Sequence, residues 1–148
     1  MPTIFTIGYE QATQAQVIAA LKAAGVKLVI DVRAVAASRR AGFSKSILSS
    51  SLKDEGIDYL HLKALGTPKA GREAARAGRT AEMHHIFETH LTEPEAMLAL
   101  DETADLAKAR PAALLCYEAD PVCCHRRILT DRLSAGQGFH VCDLRVPL

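Results

Sequence analysis

Two runs of the chain, Lys27-Leu28-Val29-Ile30-Asp31-Val32 and Ala112-Ala113-Leu114-Leu115-Cys116, are apolar without alternation. A strand with one wet face alternates apolar and polar side chains. A run that is apolar on both faces fits a sheet covered on both sides, which is chiefly a parallel sheet between layers of helices. Shorter β-type runs lie at Thr3 to Ile7, closed by Gly8, at Ile57 to Leu62 and at His140 to Leu144, with helical patterning between them. The expected fold is a single-domain α/β protein over residues 1–148, a three-layer α/β/α sandwich with a mostly parallel sheet of about five strands.

The intervening segments carry helix signals. Thr13 with Gln16 forms a capping box, Val17, Ile18 and Leu21 supply an apolar face, and Gly25 is the stop. A second helix from about Ser44 turns Ile47, Leu48 and Leu52 inward and ends at Gly56. Met83, Phe87 and Leu91 mark another helix. On it, the adjacent His84 and His85 are expected to be one partly buried and one at the surface. Thr92 with Glu95 reads as a capping box opening a helix to about Arg110, and Ile128, Leu129 and Leu133 mark the last, ended by Gly136 and Gly138. Between Lys63 and Arg79 lie Gly66, Pro68, Gly71 and Gly78 among five basic residues, which reads as a long basic loop with one helical turn.

At 148 residues the chain can bury a core without cross-links, and its 49% hydrophobic and 24% charged content is that of a globular protein. A net charge of +1 gives no general attraction to nucleic acid or anionic lipid, so any basic surface must be local. The N-terminus lacks the basic and apolar regions of a signal peptide, and no apolar stretch is long enough to span a bilayer. Four cysteines, two of them adjacent, then favour reduced thiols and a cytoplasmic setting over a disulfide framework.

Parallel strands put their carboxyl ends on one side, so the loops after Val32, Leu62 and Cys116 should converge there, where α/β proteins bind ligands. The stretch from Leu114 to Arg127 is the richest in chemistry: Cys116, Glu118, Asp120, Cys123, Cys124, His125, Arg126 and Arg127. Cys124 is expected in the first turn of a helix, where the dipole and neighbouring cations favour a thiolate, whereas Cys116 at a strand end reads as a small buried hydrophobe. Glu118 and His125 are candidate proton carriers, the bland alternative for Glu118 being an ion pair with an arginine of the second-strand loop. That loop concentrates Arg33, Arg39 and Arg40 with Ser38 and Ser44 beyond Asp31. It is either an anion clamp or a solvated basic loop in which Asp31 and Arg33 pair. Cys116, Cys123, Cys124 and His125 are all metal-ligand types, but adjacent residues on a helix point apart, so on that spacing no metal is expected, and no cofactor.

With these residues in place, the chain resembles the family of domain of unknown function 488 nearly from end to end. The likeness rests on Thr6-Ile7-Gly8-Tyr9, Asp31-Val32-Arg33, Ser38-Arg39, Gly42-Phe43, Gly56-Ile57-Asp58-Tyr59, Leu65-Gly66, Leu114 to Glu118, Cys124-His125-Arg126-Arg127 and Val141-Cys142-Asp143-Leu144. It implies a compact α/β domain but no particular reaction. The chain departs from the family in Ala36-Ala37, where a proline is frequent, and in Thr67, where a glycine is common. A looser likeness to rhodanese-type sulfurtransferases fails at the cysteine loop. Those loops return an arginine shortly after the nucleophile, whereas the first arginine after Cys116 is Arg126.

The expectation is an anion-binding, thiol-containing site at the sheet's carboxyl edge for a phosphate-bearing small molecule, nucleotide or nucleic-acid end. Cys124, Glu118 and His125 are its candidate catalytic residues, with Asp31, Arg33, Ser38, Arg39, Arg126 and Cys116 around the ligand. The alternatives are a non-catalytic module gripping an acidic partner or nucleic acid through the basic Lys63–Arg79 stretch, and a Cys/His metal site.

Overall fold

The computed structural model describes residues 2–121 and 124–146. Five strands form one parallel sheet: β1 (Thr3–Gly8), β2 (Leu28–Asp31), β3 (Asp58–His61), β4 (Ala112–Cys116) and β5 (His140–Asp143), in the order β3-β2-β4-β1-β5. The two runs that are apolar throughout, β2 and β4, are adjacent inner strands, and every residue of both is buried. Their side chains divide between two cores. Ile4, Ile30, Leu114 and Cys116 face one, with Phe87, Ala96, Ile128 and Leu129. Ile7, Val29, Ala113 and Leu115 face the other, with Val17, Leu21, Leu48 and Leu52. That is the three-layer arrangement the apolar runs require.

Helices α1 (Gln14–Ala23) and α2 (Lys45–Asp54) cover the second core; α4 (Thr80–His90), α5 (Pro94–Ala109) and α6 (Arg126–Gln137) cover the first. The Thr13–Gln16 capping box is formed in both directions at the start of α1. The box expected at Thr92 is not formed. Pro94 takes the first position of α5 after Glu93, and the Thr92 hydroxyl instead donates back to Thr89 O at 2.7 Å. Ile47 is 54% exposed, because the buried stripe of α2 is only Leu48 and Leu52. His84 is half-buried and His85 exposed, as expected. The Lys63–Arg79 stretch is more ordered than a loop: a 3-10 turn (Lys63–Leu65) precedes helix α3 (Lys69–Arg76). Here the alanine-rich Lys69-Ala70-Gly71-Arg72-Glu73-Ala74-Ala75-Arg76 outweighs the flanking glycines.

Strand register brings the loops together. Gly8 pairs with Cys116, and Asp31 pairs with both Leu115 and His61. Ladder-like bonds continue past the strands, from Tyr9 N to Cys116 O and from Val32 N to Leu115 O. The helices that follow β1 and β4 pack on opposite faces of the sheet, so a crevice opens between these neighbouring strands at their carboxyl ends.

Candidate functional site

A cavity of about 620 Å³ occupies that edge. Its lining includes Tyr9 after β1, Arg33 and Val35 after β2, Arg72 and Arg76 from α3, and Cys116, Tyr117, Glu118 and His125 around the β4–α6 connection. Loops after four strands therefore meet, among them the three expected from the sequence: His61 at the end of β3 bonds Arg33 O through Nε2 at 2.7 Å. Arg33 and Glu118 share the cavity, as parallel pairing requires.

In the second-strand loop the Asp31–Arg33 pair of the alternative reading is formed, but Arg33 is buried rather than solvated. Asp31 is fully buried and takes Arg33 Nε and Nη2, the latter at 2.7 Å, while Arg33 Nη1 donates to Phe43 O and the Tyr9 hydroxyl. The Tyr59 hydroxyl donates to the same carboxylate. Burial works against the Arg33 cation, but the bonds and charge of Asp31 outweigh it and raise its pKa. Burial, with Asp31 next, also holds the Tyr59 phenol protonated. Arg33 thus borders the cavity with most of its donors used. Ser38 exchanges hydrogen bonds with Ser44 and braces the loop. Arg39 is exposed and does not line the cavity.

The floor of the cavity is where sulfur gathers. Cys116 Sγ and Cys124 Sγ are in direct contact and paired, contrary to the expectation of separate reduced thiols. With His125 they form a buried trio whose ligand atoms all lie within 4.8 Å of one another. The side chains of Cys124 and His125 do not diverge, and α6 starts only at Arg126. Cys124 sits in a bend before it and His125 at its N-cap, and Cys124 Sγ comes within 3.6 Å of His125 Nδ1. The start of α6 at Arg126 corrects the expected first-turn position of Cys124. The nearby amides are already used: Cys124 N donates to Pro121 O, Arg127 N to Cys124 O and Ile128 N to His125 O. Cys123 lies outside the described residues.

Each partner of the sulfurs has a defined role. His125 Nε2 lies 2.8 Å from Val32 O and must donate to that carbonyl, which leaves Nδ1 bare, 3.6 Å from Cys124 Sγ. Burial lowers the His125 pKa to about 4, outweighing the carbonyl bond, so the ring is neutral near pH 7. Cys116 Sγ lies 3.2 Å from Glu118 Oε2, to which it would donate as a reduced thiol, and accepts from Arg126 Nη1 at 3.3 Å. Burial raises the Glu118 pKa, with the charge of Arg126 opposing, and no ion pair with the second-strand loop forms. Arg126 is fully buried and also donates to Glu118 O and Ala119 O; burial lowers its pKa, and its Nε has no hydrogen-bond partner among the described residues. Gly8 makes this possible, since a Cβ there would overlap Glu118 O and come 2.9 Å from Arg126 Nη1.

The candidate site residues read from the sequence left out Tyr9, Arg72 and Arg76, the two arginines entering only through the basic Lys63–Arg79 stretch of the alternative reading. Tyr9 stacks on Phe43 with centroids 4.2 Å apart and meets Tyr117 edge-on. Arg72 and Arg76 stand four residues apart on α3, and that spacing was the available signal. Arg72 donates to Thr67 O, and neither arginine enters an ion pair among the described residues.

Fold and site together define a parallel α/β protein with a buried cysteine–histidine cluster beneath a basic cavity mouth. The chain belongs to the family described as Domain of unknown function DUF488, whose model matches residues 13–133. No curated protein and no solved structure matches it. Among the described residues, no helix is long and apolar enough to cross a membrane.

Proposed function

We propose that the cavity is an active site for thiol–disulfide exchange with a small anionic substrate, in a cytoplasmic setting. The observation that carries this reading is the contact of the Cys116 and Cys124 sulfurs at the floor of a cavity lined also by Arg72 and Arg76, which enter no ion pair among the described residues. Arg72 and Arg76 take the anionic groups, carboxylate or phosphate, a task the sequence suggests for Arg33, Arg39 and Arg126. Cys116, not Cys124, is the entering nucleophile, because it is the one that lines the cavity.

The half-reaction that oxidises the protein balances with the groups present, and a small dithiol reductant would return Cys116 and Cys124 to thiols by the reverse exchange, becoming a disulfide itself. Cys116 gives its proton to Glu118, and the Arg126 N–H stabilises the thiolate. The thiolate attacks one sulfur of a disulfide RS–SR, forming Cys116–S–S–R and releasing RS⁻, which takes the Glu118 proton. Cys124, positioned against His125 Nδ1, then attacks Cys116 Sγ, closes the Cys116–Cys124 bond and releases the second RS⁻ with the Cys124 proton. The protein is oxidised by two electrons and the substrate reduced to two thiols. His125 positions Cys124 and is a poor proton store, since burial disfavours its cation.

The test compares reduced protein reacting with oxidised glutathione, which is anionic, and with hydroxyethyl disulfide, which is uncharged. Arg72→Gln and Arg76→Gln should slow only the anionic reaction, by about tenfold each, the size of one charge-assisted contact of roughly 1.5 kcal/mol. Equal slowing of both reagents, or none, would contradict the assignment of these arginines. Binding of small anions without exchange would favour the non-catalytic module.

A further inference from the structure

The geometry points to a second use of the same atoms: with both sulfurs reduced, Cys116, Cys124 and His125 form a binding site for a divalent ion of the zinc class. This does not depend on exchange chemistry, since it needs only the two thiols and the ring.

Two sulfurs and one imidazole nitrogen suit a borderline-soft ion, which takes such donors tetrahedrally. The nitrogen offered is Nδ1, and its state is fixed from behind: Nε2 holds its proton against Val32 O, which leaves the Nδ1 lone pair toward the sulfurs. A backbone carbonyl behind a ligating histidine is the usual outer-shell support of a metal site. The ring is also held edge-to-face by Phe87, with centroids 5.0 Å apart. The Cys116 and Cys124 Cα atoms stand 7.8 Å apart, wider than the roughly 4.4–6.8 Å of ordinary disulfides. That separation leaves room for an ion between the two sulfurs once they are reduced.

Charge supports the same assignment. Cys116 and Cys124 are each 1% exposed, so the two thiolates that ligation requires would be buried, and a divalent ion offsets their charge. A divalent ion cancels both and leaves Arg126 against Glu118. Glu118 reaches the edge of the cluster with Oε2 3.2 Å from Cys116 Sγ, so the fourth position falls to it or to a cavity ligand. Ion binding would mask Cys116, so metal and substrate disulfide would compete for one sulfur.

The probe is Co²⁺, added to the full chain reduced with a phosphine under anaerobic conditions and then displaced by Zn²⁺. The expected result is one equivalent bound, with an intense thiolate-to-cobalt band that Zn²⁺ abolishes. Cys124→Ser and His125→Gln should each weaken binding by at least about tenfold, while Cys142→Ser leaves it unchanged. Because either cluster variant can destabilise the fold, a second measurement uses the unaltered chain: Zn²⁺ should protect Cys116 from alkylation while Cys142 still reacts. Absence of the band in folded, reduced protein, a band lost with Cys142→Ser, or alkylation of Cys116 unaffected by Zn²⁺ would each overturn the site. None of these outcomes bears on the charge selectivity assigned to Arg72 and Arg76, so the two readings fail separately.

Discussion

Arg126 donates through Nη1 to Cys116 Sγ at 3.3 Å, and the guanidinium that does so is fully buried. A buried cation beside a sulfur favours its thiolate. Arg126→Met should therefore shift alkylation of Cys116, followed against pH by mass spectrometry, toward higher pH. It should also destabilise the fold by about 1–3 kcal/mol for each carbonyl left unpaired among Glu118 O and Ala119 O. An unchanged pH profile would show that the contact does not tune the thiol.

Gly8 and Gly136 make opposite predictions for the same substitution. Gly8→Ala drives a methyl into Glu118 O and Arg126, so urea denaturation should show a loss of several kcal/mol, on the order of other strained core changes. Gly136 lies inside α6 with open space around it, and Gly136→Ala should stabilise by up to about 1 kcal/mol.

The ion pair of Asp31 and Arg33 separates structural from ligand-directed arginines. Asp31→Asn leaves a buried cation without its partner, and about 3–5 kcal/mol should be lost. Arg39 is exposed, so Arg39→Ala should change stability by no more than about 0.5 kcal/mol and leave exchange rates as they are. Loss of exchange with Arg39→Ala would return that residue to the site.

The layered fold was legible because β2 and β4 are apolar on both faces, which leaves a parallel sheet little alternative. The site was legible in part. Strand register put Cys116, Asp31 and Gly8 at one edge, so the residues following them had to meet. Local geometry was not legible. Whether Cys124 falls inside α6 or before it depends on a residue or two at the helix start, finer than pattern reading resolves. The sequence offers Arg33 both as a partner of Asp31 and, with Arg39, as an anion ligand, and does not choose between them. Only packing shows that Arg33 is buried on a carboxylate and Arg39 is not. Arg72 and Arg76 were hidden because glycines and a proline around α3 mimic a loop.

His125 makes stability depend on pH in the metal-free protein. Its folded pKa, lowered to about 4 by burial, lies below the unfolded value near 6.5. The unfolded chain then binds the proton first. Its contribution is complete above about pH 6.5, falls as the pH drops toward 4, and falls no further below that. Urea midpoints at pH 7.5, 5.5 and 4.5 should decline more steeply for the unaltered chain than for His125→Gln. Parallel declines would mean the ring is not held neutral.

The most direct test of the cysteine assignment is to trap the first covalent step. With Cys124→Ser the second attack is blocked, so reduced protein given oxidised glutathione should accumulate a mixed disulfide that peptide mapping places on Cys116. Cys142, free and half-buried, is the internal control for nonspecific reaction. The account predicts modification of Cys116 faster than Cys142, with the released thiol matching one adduct per chain. An adduct confined to Cys142, or none on Cys116 while the protein remains folded, would contradict it.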